Sequence, residues 1–380
     1  MKARKLIALG TLLLLVCGCR IDPPLHLRQA LDLEVGLELD LDVETIWQVD
    51  WETRWQYQWN ADLLGPLGYE EPSSIRMHSY AQGPDGKDVS HQTYNFTGHS
   101  GHLKAVAGTY DFLFHNNDSE AVLFTEDEER YEIYAYTHAI SSGLKDSSPV
   151  KTRSQKATGT KALPDELPSA DDPVVLAPES LFSLYRPGVV ISEDPAAYEY
   201  IDGRYVIRIG GVMRPADFIW LFQIRLHNNN GRVVGSAGGC ALTGMAEGVS
   251  LRSGVSSTTT VSVPTDVRVN RAADPDLLGA RLISFGIPGC NAYDPASVAA
   301  APAGEHFFVL SVAYNDGGHK NIHIDVTDQL RALPTGGVIT LDLDVNDFPP
   351  DQGQHDGDGG GFDALLKDWQ EERGGVTIIQ

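Results

Sequence analysis

The sequence predicts an all-β protein built as two tandem antiparallel β-sandwich domains. Three observations carry this expectation. From Leu31 to Val43 every odd position is Leu or Val, while the even positions are Asp32, Glu34, Gly36, Glu38, Asp40 and Asp42. A period of two gives one apolar face and one wet face, the pattern of a half-buried strand. Beyond it, short runs rich in Val, Ile, Phe and Tyr recur between Gly, Asn and Asp turns, and helical runs are few. Finally, Ser141 to Asp172 is rich in Ser, Thr, Pro, Ala and Lys with few large apolar residues, and it divides the strands into two sets.

Composition agrees with a folded, two-domain chain. The protein has 380 residues, 42% of them hydrophobic, and a formal net charge of −23. That length exceeds one ordinary core, at about 150 residues per domain. The acidic balance argues against a nucleic-acid partner, because phosphate contacts need a basic face. Four cysteines in a chain this long do not make a disulfide scaffold.

The N-terminus reads as an export signal. Lys2, Arg4 and Lys5 precede Leu6–Val16, a run of 11 residues that is apolar except for Gly10 and Thr11. A bilayer-spanning helix needs about 20, so the run is a signal-peptide core. Gly18-Cys19 closes it and resembles a bacterial lipobox, which implies cleavage after Gly18 and acylation at Cys19. Cys17 is the rival acceptor, with the poorer cleavage residue Val16 before it. Several acyl chains hold a protein to a membrane where one holds only marginally. Arg20 stands where an inner-membrane retention Asp would be, which favours an outer-membrane location with the facing side open.

In chain order the organisation is a signal peptide over 1–18, a lipidated tether over 19–30, and an N-terminal sandwich over 31–140. An exposed linker or loop over 141–172 and a C-terminal sandwich over 173–380 follow. The odd-numbered phase of the first strand continues through Trp47, Trp51, Trp55 and Trp59. Their spacing of four also fits a helix, so Glu52–Asn60 is left as either. A tryptophan stripe of this kind serves as core or as a partner contact.

Further strands are predicted at Ile75–Tyr80, Leu103–Val106, Tyr110–Phe114, Ala121–Phe124 and Tyr131–Tyr136. The Gln82-Gly83-Pro84-Asp85-Gly86 turn follows the first of these. The second set comprises Tyr205–Val212, Phe218–His227, Arg232–Cys240, Thr258–Val269, Ala280–Phe285, Phe307–Tyr314, Asn321–Val326 and Val338–Leu343. Phe218, Trp220, Phe222, Ile224 and Leu226 share a face. Asn229-Asn230-Gly231 carries the Asn-Gly pair of a type I′ turn, and Asn315-Asp316-Gly317-Gly318 is a hairpin connection. An acidic, glycine-rich segment near 349–361 precedes a last short strand at Val376–Ile379.

Taken together, several stretches resemble one family. They are the lipobox, Val49-Asp50-Trp51, the run Gly108–Asp118, Val122-Leu123-Phe124, Ala241–Ala246, Ser284-Phe285-Gly286, Ile324–Gln329, Gly361-Phe362 and Asp368-Trp369. Their order is similar to that of the fimbrillin-like (type V pilus) lipoproteins of Bacteroidetes, of the minor-fimbria anchor type, much of which is catalogued as a domain of unknown function. The Trp47–Trp59 cluster, the Lys-rich linker and the acidic tail depart from it. The resemblance implies transthyretin-like sandwiches, an outer-membrane lipid anchor, and pilin-like partners joined by strand complementation. The Leu31–Val43 strand is then either a groove-filling element or the first strand of its own sheet.

Other constellations carry less. His99 with His102 and His319 with His323 have metal-compatible spacing but no partner fixed by spacing, and read as surface histidines. Asp356-Gly357-Asp358 lacks the remaining ligands of a Ca²⁺ loop. Asp325 and Asp328 are expected to cap turns. Cys240 and Cys290 are either a disulfide or two buried thiols. No hydrolase elbow, zinc motif or phosphate loop is present, so neither a cofactor nor an enzyme is expected. The function expected is that of a fimbrial anchor or accessory subunit. A surface glycan binder is the alternative, and an envelope hydrolase using unrecognised carboxylates is a third.

Overall fold

A computed structural model describes residues 31–39, 68–86, 88–127, 132–139, 173–201, 204–206, 208–271 and 274–348. Cys19, the Trp47–Trp59 stretch, the 141–172 segment, the Asp356–Asp358 run and the final strand lie outside the described residues.

The fold is all-β, as the alternation predicts. The first unit contains β1 (Leu31–Leu39), β2 (Ser74–Gln82), β3 (Asp88–Thr97), β4 (Ser100–Ala105), β5 (Gly108–Asn116), β6 (Val122–Asp127) and β7 (Glu132–Thr137). The chain then adds β8 (Phe182–Ile191), β9 (Glu199–Ile201), β10 (Arg204–Val206) and β11 (Arg208–Pro215). Seven of these form one sheet in the order β3-β2-β5-β8-β11-β1-β4. The sheet rolls until its edges meet. The Phe96 ring of β3 lies where a Cβ at Gly101 of β4 would stand, so only glycine fits at that closure. Ile75, Met77, Phe112, Phe114, Phe182 and Met213 fill the inside.

Two strands of this sheet escape a reading by pattern. β3 is an edge strand with a mostly polar sequence, and edge strands need no apolar face. β8 contains Pro187-Gly188, which reads as a break. In the structure that pair sits opposite a register shift between Tyr110 and Phe112, where a bulge accommodates it. β8 and β11 lie beyond the boundary expected near Asp172, yet they complete the first sheet: β8 pairs with β5, and β11 with β8 and β1.

The second unit is a sandwich. It comprises β12 (Phe218–His227), β13 (Val233–Ala246), β14 (Gly248–Ser250), β15 (Thr260–Thr265), β16 (Val267–Arg271), β17 (Asp274–Ser284), β18 (Phe307–Tyr314), β19 (His319–Asp325), the short helix α1 (Thr327–Ala332) and β20 (Gly337–Asp344). One sheet has the order β16-β17-β12-β20 and the other β15-β13-β18-β19. The predicted Phe218–Leu226 face is the core between them. Phe222 stacks on Phe308 across the sheets at 4.0 Å between ring centroids, and Trp220 Nε1 donates to Ser284 Oγ at 2.9 Å. Antiparallel pairing is not universal: β1 runs parallel to β11 and β20 parallel to β12.

The predicted turns form. Asn230 and Gly231 have φ of 49° and 75°, and Arg232 N donates to Asn229 O at 2.8 Å, the pattern of a type I′ turn. Its flanking strands β12 and β13 nevertheless belong to different sheets, so the turn crosses the sandwich. The single strand expected over Thr258–Val269 likewise divides, with β15 in one sheet and β16 in the other. Asp325 caps as expected: its Oδ1 accepts from Thr327 N at 2.9 Å, where α1 begins.

Candidate functional site

β1 lies inside the first sheet and not at its rim. It pairs antiparallel with β4, Leu31 opposite Ala105, Leu33 opposite Leu103 and Val35 opposite Gly101. On its other side it pairs in parallel with β11, Val35 opposite Ile209, Leu37 opposite Gly211 and Leu39 opposite Met213. Val35 is fully buried. The first described strand thus occupies a groove whose two walls come from distant parts of the chain. Main-chain bonds on both sides supply affinity in such an arrangement, and alternating side-chain positions supply register.

The second functional feature is the junction of the two units. A three-stranded sheet, β14-β7-β6, mixes strands from both. Tyr80, Leu113, Val122, Ile133, Val249, Leu251 and Phe285 form one buried cluster there. Asp111 anchors the polar side: its carboxylate accepts from Gln82 Nε2 at 2.8 Å, Gly188 N at 2.7 Å, Tyr185 Oη at 2.5 Å and Arg252 Nη2 at 3.0 Å. Burial and the Asp111 hydrogen bond push the Tyr185 phenol up to about 12, so it remains a donor. Residues 68–70 strap the junction: Arg281 Nη2 donates to Gly68 O, and Tyr69 Oη to Asp217 O, each at 2.9 Å.

Beside that junction three histidines form a chain that the sequence spacing did not signal, because they come from three strands. His115 Nδ1 is 2.7 Å from Asn116 O. A carbonyl only accepts, so Nδ1 carries the proton and Nε2 accepts from His78 Nε2 at 3.1 Å. His78 Nδ1 must then accept from His91 Nε2 at 2.9 Å. His78 and His115 are neutral in this order. Burial lowers His78 to about 2, assisted by His115 and His91, and lowers His115 to about 4.

The residues singled out by sequence fall in scattered places. Cys240 and Cys290 are both buried and free; burial raises both thiol pKa values. His99 Nε2 lies 3.2 Å from Pro72 O, and His102 stands opposite Glu34 on β4. His319 stands opposite Ala313, while His323 is 3% exposed within β19 and is not a surface residue. Among the described residues no group of three or more His, Cys, Asp or Glu is placed to hold a metal. No described helix is long and apolar enough to cross a membrane.

A family model described as "Domain of unknown function (DUF5119)" matches residues 64–266, a span that crosses from the first unit into the second. None of the curated proteins matches the chain. Among solved structures, the chain is similar to that of a putative adhesin from Bacteroides ovatus, with 15% identity, TM-score 0.47, and coverage of 85% of this chain and 94% of that one. It is similar also to the fimbrial anchor protein Mfa2 from Porphyromonas gingivalis, with 11% identity, TM-score 0.41, and coverage of 83% and 90%.

Proposed function

The chain belongs to the DUF5119 family, and from that premise we propose that it is a lipid-anchored outer-membrane protein without catalytic activity, serving as the anchor or an accessory subunit of a fimbria-like assembly. The single observation that carries this reading is the place of β1. A strand that begins 12 residues after the lipobox cysteine is paired on both sides in a groove between β4 and β11. The groove is already filled by the chain's own strand, as suits a subunit held at the base of a fibre. Assembly through further strand addition would then use other sheet edges, and the Trp47–Trp59 stretch would supply aromatic contact to a pilin-like partner. Cys19 carries the anchor in this reading, and the resemblance of the ordered motifs to fimbrillin-like lipoproteins supports it.

The test is a Cys19→Ala variant expressed in a fimbriated host with its signal peptide otherwise intact. It should move to the soluble envelope fraction and cease to co-purify pilin-like subunits with membranes. Persistent membrane association, or fibres unchanged in number and attachment after deletion of the gene, would refute the anchor reading.

A further inference from the structure

β1 fixes which end of the first unit an N-terminal anchor would hold. Its first residue, Leu31, stands opposite Ala105 at the end of β4, and β11 starts at the same end, because it runs parallel to β1. β8 is antiparallel to β11 and β5 to β8, so β8 finishes and β5 begins there too. The opposite end carries the link to the second unit: β11 stops at Pro215 and the chain passes through Asp217 into β12. Cys19 and Leu31 are 12 residues apart, no more than about 43 Å of extended chain. An acyl anchor at Cys19 therefore keeps the β1-entry end near the bilayer and the second unit on the far side.

Exposed apolar side chains gather at that end. Among the described residues seven large hydrophobics are exposed, and four of them are Val106, Val190, Tyr200 and Ile201. Val106 follows Ala105 directly, Val190 is the penultimate residue of β8, and Tyr200 and Ile201 belong to β9. Tyr200 is 66% exposed. β9 and β10 form a two-stranded hairpin outside the larger sheets, and all three residues of β9 are exposed. The hairpin is nevertheless placed firmly: β10 lies against β1, and Tyr198 Oη donates to Ser192 O at 2.8 Å just past the end of β8.

Two strands alone hide little apolar surface, and grouped apolar side chains at a surface mark a contact site. A tyrosine, with its apolar ring and polar tip, suits the boundary between headgroups and acyl chains. The exposed Glu193, Asp194 and Glu199 flank the hairpin, so attraction to anionic lipid does not supply the binding. A contact this small is weak by itself. A short tether makes it intramolecular, at an effective concentration in the millimolar range.

We propose that the β9–β10 hairpin, with Val106 and Val190 at the same end, is a bilayer-contacting face that rests Tyr200 and Ile201 among the headgroups of a zwitterionic membrane and directs the second unit outward. The proposal rests on the anchor reading. Its test supplies the tether chemically, so that the two can fail separately: release of Cys19→Ala from membranes reports on the anchor, and the following experiment on the face. Chains starting at Arg20 and carrying an N-terminal polyhistidine are attached to phosphatidylcholine vesicles containing a nickel-chelating lipid. An environment-sensitive fluorophore is placed on Tyr200→Cys, on Val190→Cys or, as a control in the second sandwich, on Val234→Cys, which is 58% exposed. Cys240 and Cys290 are buried and stay unlabelled. On attachment, emission from positions 200 and 190 should shift to the blue and be quenched by brominated acyl chains, while position 234 should do neither. Adding Tyr200→Asp and Ile201→Asp to the Val190→Cys chain should abolish its shift, and phosphatidylglycerol should not strengthen it. The proposal is overturned if position 200 does not shift, if position 234 shifts equally, or if position 200 shifts on mixing with unlabelled chain in the absence of lipid, which would assign the face to a second copy.

Discussion

Arg252 reaches across the junction of the two units to Asp111: Nη2 lies 3.0 Å from Oδ2, on a carboxylate whose side chain is only 3% exposed. The guanidinium also lies 4.8 Å from the centroid of the Tyr185 ring, whose hydroxyl donates to the same carboxylate. Four donors converge on one buried acceptor, so the two units share a single polar knot.

Removing that acceptor should cost more than removing any one donor. Asp111→Ala is expected to lower unfolding free energy by about 3–5 kcal/mol, because it strands several donors in a buried site. Arg252→Ala should cost about 1.5–3 kcal/mol, the range for a bond to a charged group. Urea melts of both singles and the double variant give the coupling. A coupling energy near zero would mean that the ion pair does not join the units.

Acid should loosen the same region. His78 and His115 have folded pKa values of about 2 and 4 against an ordinary 6.5. The unfolded chain therefore takes up protons first as pH falls below about 6.5, and stability falls with it until the folded value is reached. Above about pH 6.5 the contribution is complete. Each ring adds a slope of about 1.4 kcal/mol per pH unit inside its window. Asp217, raised by burial, acts in the opposite sense, so the comparison must be with a His78→Asn/His115→Asn variant. Urea midpoints at pH 7 and pH 5 should differ less in that variant than in the parent; equal differences would reject the neutral chain.

The core of the second sandwich should be unforgiving. Trp220 is fully buried and spends its indole N–H on Ser284. Trp220→Ala should destabilise by about 3–5 kcal/mol, read from the guanidinium midpoint. A loss under about 1 kcal/mol would contradict the packing of the Trp220 side chain in the core between the two sheets.

Thiol chemistry offers a fourth check. In a chain starting after Cys19, Ellman's reagent should find two thiols once guanidinium is added and almost none before. An absence of thiols in the denatured chain would show that Cys240 and Cys290 are paired in the isolated protein.

Groove filling can be tested in trans. A chain lacking residues 1–39 should expose the walls contributed by β4 and β11, and a peptide of Leu31–Leu39 should bind it. The same peptide with Val35→Asp should not, because Val35 is fully buried and an unpaired charge there is strongly disfavoured. Equal binding by the two peptides would defeat the register seen here.

Local pattern made most of the strands legible, and its failures have a common cause. Period-two alternation marks Leu31–Leu39, where Val35 is buried, and Phe218–His227, which has a face against the core. It misses β3, an edge with little apolar sequence, and β8, whose Pro187-Gly188 is tolerated only because a bulge meets it. Pairing partners are not local information: the parallel contact of β1 with β11 joins residues some 170 positions apart. For the same reason the His78–His91–His115 chain is invisible as a spacing. Asp325, whose cap lies two residues away, was readable.

The pairing of β1 on both sides also decides how the molecule would carry a load. Tension applied along residues 31–39 runs parallel to the strand, so the ladders to β4 and to β11 are stressed together in shear. A terminal strand peeled from an edge would instead give way one bond at a time. Pulling β1 free requires many hydrogen bonds to fail at once, which makes the first described strand of the chain a tensile member of the fold.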